Sequence, residues 1–227
     1  MNPQHFELGT VLYAVALAIV PALFGIICHE IAHGWAAYKL GDPTAKLLGR
    51  LTFNPVRHID PMGLGVFVFT AISPAPFAIG WAKPVPVDPR YFKSPREGMM
   101  LVAIAGPLTN FMVAILFALL AKLTINLSVA GISSTMQTFL LQSAIYGVSI
   151  NCALAWFNLM PVPPLDGSHI VGGLLPRSLA QVYASIGRYG MFIIIALLAF
   201  GFVGTVLFPL VRTSARLIFS LVGLSVA

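Results

Sequence analysis

The chain has 227 residues, 58% of them hydrophobic and 9% charged, with a formal net charge of +6 and a mean hydropathy of +0.91. Soluble domains carry about 25% charged residues, so this composition excludes an ordinary soluble protein and indicates one embedded in a lipid bilayer. The cations lie in short loops between apolar runs, where they report orientation, and no nucleic-acid partner is expected.

The first apolar run, residues 10–40, exceeds the ~20 residues needed to cross a ~30 Å hydrocarbon core and stops at Gly41 and Pro43. No basic region precedes it and it carries two histidines, so a cleaved signal peptide is not expected. Residues 45–61 are polar and rich in turn formers, with short stretches such as 47–53 that suit strand. Residues 63–82 are apolar but contain Pro74 and Pro76, and the proline-rich 83–97 reads as an extended surface loop. Long apolar runs follow at 98–123, 138–160 and 189–210, the last continuing past Pro209. Cys28 and Cys152 sit within apolar segments, which argues for small core residues and against a disulfide framework.

Charge placement decides whether 63–82 spans. Lys39, Lys46, Arg50 and Arg57 precede it, and Lys83, Arg90, Lys93 and Arg96 follow it. A full crossing would put these basic loops on opposite sides, whereas a re-entrant segment keeps them all cytoplasmic, as the bias of Lys and Arg favours. The expected fold is therefore an all-α polytopic membrane protein of four to six transmembrane helices, with a short re-entrant or strand-containing segment between the first two main helices. The first helix then runs inward, 98–123 outward, 138–160 inward and 189–210 outward. Arg212 and Arg216 disagree with this scheme unless the final stretch turns back as a partial or interfacial helix. One integral membrane domain is expected over 1–227, with its core at 10–176 and a C-terminal helical region at 188–225.

Of the acidic residues, only Glu30 and Asp166 lie against apolar sequence. An ionisable group in a transmembrane segment costs about 2.5 kcal/mol or more, so its default reading is functional. Residues 29–33 read HEIAH. On a helix, His29 and His33 stand about 40° apart around the axis and one turn apart along it, able to share a metal ion, and Glu30 lies about 100° from His29. His-Glu-x-x-His on a helix is the zinc-hydrolase pattern, with imidazoles as ligands and the glutamate as general base. The extended motif that would supply a third histidine is missing, because Ala36 and Lys39 occupy its glycine and histidine positions. Other candidates are His5, His58, His169 and Asp166, and Asp166 is preferred because Pro163 and Pro164 end the preceding helix just before it.

HEIAH at 29–33, NLMPVPPLDG at 158–167 and AGPLTN at 105–110 together resemble the site-2 protease family of intramembrane zinc metalloproteases. NPVRHIDPMG and GWAKPVPVDP resemble its compact bacterial and archaeal branch, without PDZ or nucleotide-binding regulatory domains. The resemblance implies one Zn2+ held by His29, His33 and Asp166, Glu30 as the catalytic glutamate, and Asn158 beside the metal, where its amide suits a developing oxyanion. It implies cleavage of transmembrane protein substrates within the bilayer of the cell membrane, near the cytoplasmic side. Asn110 reads equally well as a helix-to-helix hydrogen bond, and His58 as a loop-positioning residue. Segments 47–53 or 81–87 are expected to offer a strand edge to an unwound substrate. The alternative reading is a membrane metal transporter or metal-binding protein, since buried His and Asp also mark ion paths; against it, no ladder of such residues continues across the bilayer.

Overall fold

The computed structural model of the chain describes residues 8–72, 80–126 and 133–224. Nine α-helices are described: α1 Leu8–Lys39, α2 Thr44–Leu47, α3 Pro61–Ile72, α4 Pro95–Asn126, α5 Ser134–Asn158, α6 Asp166–Leu174, α7 Arg177–Ser185, α8 Gly190–Ala199 and α9 Phe208–Leu221. Five stretches are long and apolar enough to cross a membrane: Leu12–Lys39, Pro95–Asn126, Ser134–Asn158, Arg177–Ala199 and Val203–Leu221. The expected all-α, multi-pass architecture is thus present.

The chain divides into two compact units. One comprises residues 1–25, 110–157 and 195–227, the other 26–109 and 158–194. The first is a helix bundle sealed by small residues. Ala144, Gly147, Val148, Asn151, Cys152 and Ala155 form the buried stripe of α5. It packs with Ala114, Ala118 and Ala121 of α4 and with Val211, Ala215, Ile218 and Phe219 of α9. Lipid supplies no hydrophobic drive for helices to associate, so close approach through small side chains and interhelical hydrogen bonds must hold them. A Cβ on Gly147 would lie 2.5 Å from the Phe117 ring, which makes glycine necessary there.

Pro21 removes one backbone donor from within α1 and so deprives the Leu17 carbonyl of its usual partner. The Ser143 hydroxyl of α5 donates to that carbonyl at 2.9 Å. Nearby, the Asn110 amide of α4 donates to the Gly25 carbonyl at 3.2 Å and to Asn151 Oδ1 at 3.0 Å. Asn110 is fully buried, and these contacts fit its helix-to-helix reading.

Contacts in this bundle also give helix direction. Tyr13 donates to Gln142 and Ser143 reaches Leu17, whereas Phe24 meets Phe117. Thus α1 runs with α5 and against α4. Trp156 donates to Ser214 at 2.8 Å and Lys122 to the Val222 carbonyl at 2.7 Å, so α9 runs with α4. The apolar run read as continuous at 189–210 is divided between α8 and α9. Gly201, at φ +80°, breaks the apolar run, and a π-helical turn at Val203–Leu207 restarts it. Arg212 and Arg216 are exposed, on the α9 face away from the buried cluster, and nothing in the structure explains them.

In the second unit, α1 ends in a Schellman turn: Gly41 has φ +110° and the Asp42 N–H reaches the Ala37 carbonyl at 3.0 Å. The segments expected to offer strands do not form them. Residues 44–50 wind into α2 and a turn, with the Leu47, Leu48, Gly49 and Arg50 N–H groups all bonded locally. Among the described residues, extended pairing is confined to an isolated antiparallel bridge between Ile59 and Ala82. Helix α3 has 12 residues, about 18 Å at the standard rise, too short to cross; Pro74 and Pro76, on which the re-entrant reading rested, lie outside the described residues.

Replacing Asn110 with alanine removes the amide that joins three helices. We expect a stability loss of about 1–2 kcal/mol, read as a lower thermal midpoint of the detergent-solubilised protein, with helicity unchanged at low temperature.

Candidate metal centre

The two histidines project from α1 and are buried, at 7% and 8% exposed. The His33 Nδ1 lies 2.8 Å from the Val102 carbonyl of α4. A carbonyl only accepts, so Nδ1 carries the proton, and in the neutral ring Nε2 is left with its lone pair free. That lone pair points at His29 Nε2, 2.9 Å away. The rings meet nearly edge to face, at 88°.

Asp166 completes the group from α6. Its Oδ2 is 3.1 Å from His29 Nε2 and its Oδ1 3.3 Å from His33 Nε2. One donor atom from each of the three residues can be chosen so that all lie within 4.8 Å of one another. Tetrahedral zinc with ligand bonds of ~2.0–2.2 Å separates its ligands by about 3.3 Å, so the donor set fits a single ion with one position open. Asp166 Oδ2 is buried without a hydrogen bond of ordinary geometry, as an oxygen suited to a cation would be.

Local sequence explains how Asp166 arrives there. The prolines at 161, 163 and 164 end α5, and Asp166 opens α6, where an acidic side chain suits the helix N-terminus. Gly167 is needed for close approach: a Cβ would lie 2.2 Å from the Leu159 carbonyl oxygen. The other end of α6 is tied to α4 by Arg96, whose Nε donates to the Gly172 carbonyl at 2.9 Å.

Glu30 is half-buried, and its Oε2 accepts the Val85 N–H at 2.7 Å. Val85 stands between Pro84 and Pro86, so it carries the only backbone donor of that tripeptide. Three contacts hold the strap in place: Lys83 N–H to the His58 carbonyl (2.8 Å), Arg50 Nη2 to the Lys83 carbonyl (2.7 Å), and Asp88 N–H to Asp42 Oδ2 (2.7 Å). Asp42 is fully buried and also accepts from Thr44. Gly34 lets the strap lie on α1, since a Cβ there would meet Val85 at 2.9 Å.

Sequence reading thus places His29, His33 and Asp166 together, as the structure does. Asn158 is the last residue of α5, partly buried. His58 is buried and its Nε2 donates to the Thr52 carbonyl at 2.8 Å, a loop-positioning role. His169 is exposed on α6, and His5 lies outside the described residues. Two contributors were missed. Gly106, within AGPLTN, makes room for both rings, because a Cβ would come within 2.5 Å of His29 Cε1 and His33 Nε2. Val85 was read only as part of a substrate edge; the prolines flanking it were the signal that its N–H had a separate use.

A model of peptidase family M50 matches residues 16–200. Among curated proteins, "Putative zinc metalloprotease YwhC" of Bacillus subtilis is 35% identical over 92% of this chain and 90% of its own length. "Putative zinc metalloprotease MJ0611" of Methanocaldococcus jannaschii is 36% identical over 68% of this chain and 69% of its own. "Zinc metalloprotease MJ0392" of the same organism is 23% identical over 76% of this chain and 40% of its own. No solved structure gives a significant match. With a family match over most of its length and several helices apolar enough to span a bilayer, the chain belongs to peptidase family M50, the site-2 protease family, as a multi-pass membrane protein.

Proposed function

We propose that the chain is an intramembrane zinc metalloprotease of the cell membrane that cuts transmembrane protein substrates near the cytoplasmic side, with His29, His33 and Asp166 as zinc ligands. The observation that carries this reading is the convergence of two imidazole nitrogens and a carboxylate on one buried point, 2.9–3.3 Å apart, with Glu30 adjacent in sequence. The relatives named as zinc metalloproteases support zinc as the ion. A transporter reading has no comparable support, since among the described residues this is the one such cluster.

Zinc bound there supplies a Lewis acid that polarises the scissile carbonyl and lowers the pKa of water towards ~7. The chain's own residues do the rest. His33 is held in its ligating tautomer by Val102, as second-shell carbonyls commonly hold metal-binding imidazoles. Glu30 is anchored through Oε2 by Val85, so Oε1 takes the proton of the attacking water and delivers it to the leaving amide nitrogen. Asn158 donates its amide to the developing oxyanion. Substrate backbone must be locally unwound to present a carbonyl. The strap at 81–87 is not an open edge for it, because its N–H groups at 83 and 85 are already engaged. The basic loops on either side of α3 favour a cytoplasmic position for this end of α1.

Three experiments address this assignment. Purified wild type and Glu30→Gln should each contain about one zinc per chain, while only the wild type cleaves a single-span substrate, the variant losing about 10²–10⁴-fold in rate. Equal activity would overturn the assignment. Gly106→Ala should lower zinc content by at least half while helicity is kept, because both rings are displaced; full zinc occupancy would contradict the geometry. Val85→Pro should lower kcat about tenfold with zinc retained, since it removes one charge-assisted hydrogen bond, whereas Val85→Ala, which keeps the N–H, should leave the rate near wild type.

A further inference from the structure

Beside the strap lies a cavity of about 550 Å3 whose lining includes Arg50, Arg57, Lys83, Val56, Pro84 and Pro86. It is distinct from the histidine pair and Asp166, none of which lines it. Arg50 is buried, 7% exposed, and its Nη2 donates to the Lys83 carbonyl. Its Nε is buried without a hydrogen-bond partner. Among the described residues, the one ion pair between a carboxylate and a Lys or Arg is Asp88 with Arg90, so no carboxylate neutralises Arg50, Arg57 or Lys83.

A buried guanidinium costs several kcal/mol unless it is paired, and three cations around one cavity intensify that cost. The missing counter-charge is an anion. Guanidinium forks match the planar, multi-oxygen geometry of phosphate, with lysine adding a point charge. The surroundings indicate where the phosphate comes from. Leu47, Phe53, Val56 and Trp81 are exposed at 79%, 65%, 73% and 42%, yet all lie between the first two candidate spans rather than within them. Exposed apolar and tryptophan side chains beside clustered cations are what a segment seated among lipid headgroups requires.

We propose that Arg50, Arg57 and Lys83 form a binding site for a phosphate-bearing anion, occupied in the membrane by the headgroup of an acidic phospholipid. Pro84 and Pro86 are common to this cavity and to the strap that reaches Glu30, so the bound headgroup braces the wall that carries the Val85 contact.

Arg57 and Lys83 are exposed, so Arg57→Gln with Lys83→Gln tests the site without cutting into the fold, and Arg50→Lys tests the fork geometry. Native mass spectrometry of the detergent-purified full chain would count retained phosphatidylglycerol against phosphatidylcholine. In parallel, the thermal midpoint would be followed with added inorganic phosphate. We expect selective retention of phosphatidylglycerol, weakened about tenfold or more in the double variant by loss of charge-assisted contacts. A midpoint raised by millimolar phosphate in wild type but not in the double variant, without lipid selectivity, would keep the anion site and reassign its source to free phosphate. Equal retention of both lipids with no phosphate effect, or phosphatidylglycerol binding unchanged in the double variant, would overturn the proposal. Glu30→Gln should bind the lipid as wild type does, so failure of the proteolytic reading leaves this result separately readable.

Discussion

Everything in this protein turns on one contact set: two imidazole nitrogens and a carboxylate brought within 3.3 Å of one another in a buried place. Left to themselves, such groups are expensive in an apolar environment, and a single cation is the arrangement that satisfies them all at once. Much of the sequence around them is explained by the need to build that point. Gly106 is a glycine because two rings occupy the space of its side chain, and Gly167 because α6 must start against the carbonyls of residues 159 and 160. The ring of His33 is fixed by a backbone carbonyl of a different helix, so α4 is part of the site although it supplies no ligand.

The bundle unit solves a different problem with similar means. Apolar side chains give helices no reason to prefer each other over lipid, so cohesion has to come from alanine and glycine stripes and from polar links. The polar links are placed where the backbone is already compromised. Pro21 leaves the Leu17 carbonyl unpaired within α1, and Ser143 answers it. Asn110 and Asn151 bond each other and carbonyls of α1 and α5. A helix that contains proline can therefore be tolerated because its neighbour carries the matching donor.

How much of this could be read in advance depended on how local the cause was. The register of HEIAH places both rings on one face by helix geometry alone, and the proline cluster before Asp166 announces that the chain ends a helix and presents that side chain. Local chemistry misled at 47–53, where the residue types suit strand; a helical turn at Thr44–Leu47 forms instead, its first N–H accepted by the buried Asp42. Apolar periodicity was silent at the C-terminus, because a run that is oily on every face gives no sign of where it breaks, and the break depends on Gly201 adopting a positive φ. Gly106 was visible only as part of a resemblance, since its partners are more than seventy residues away.

The strap at 82–88 shows how a segment without regular secondary structure can be positioned tightly. Prolines at 84 and 86 limit its conformations and strip it of donors, and the N–H groups at 83, 85 and 88 are each committed to a different anchor, His58, Glu30 and Asp42, while Arg50 holds the carbonyl of 83. Such a strap cannot slide by one residue, because a slip would place a proline opposite Glu30 and leave the carboxylate without its donor. Arg50, which lines the cavity, also holds the carbonyl of residue 83, two positions from the N–H that Glu30 accepts. The cations of that cavity and the carboxylate of Glu30 thereby meet the same short piece of chain.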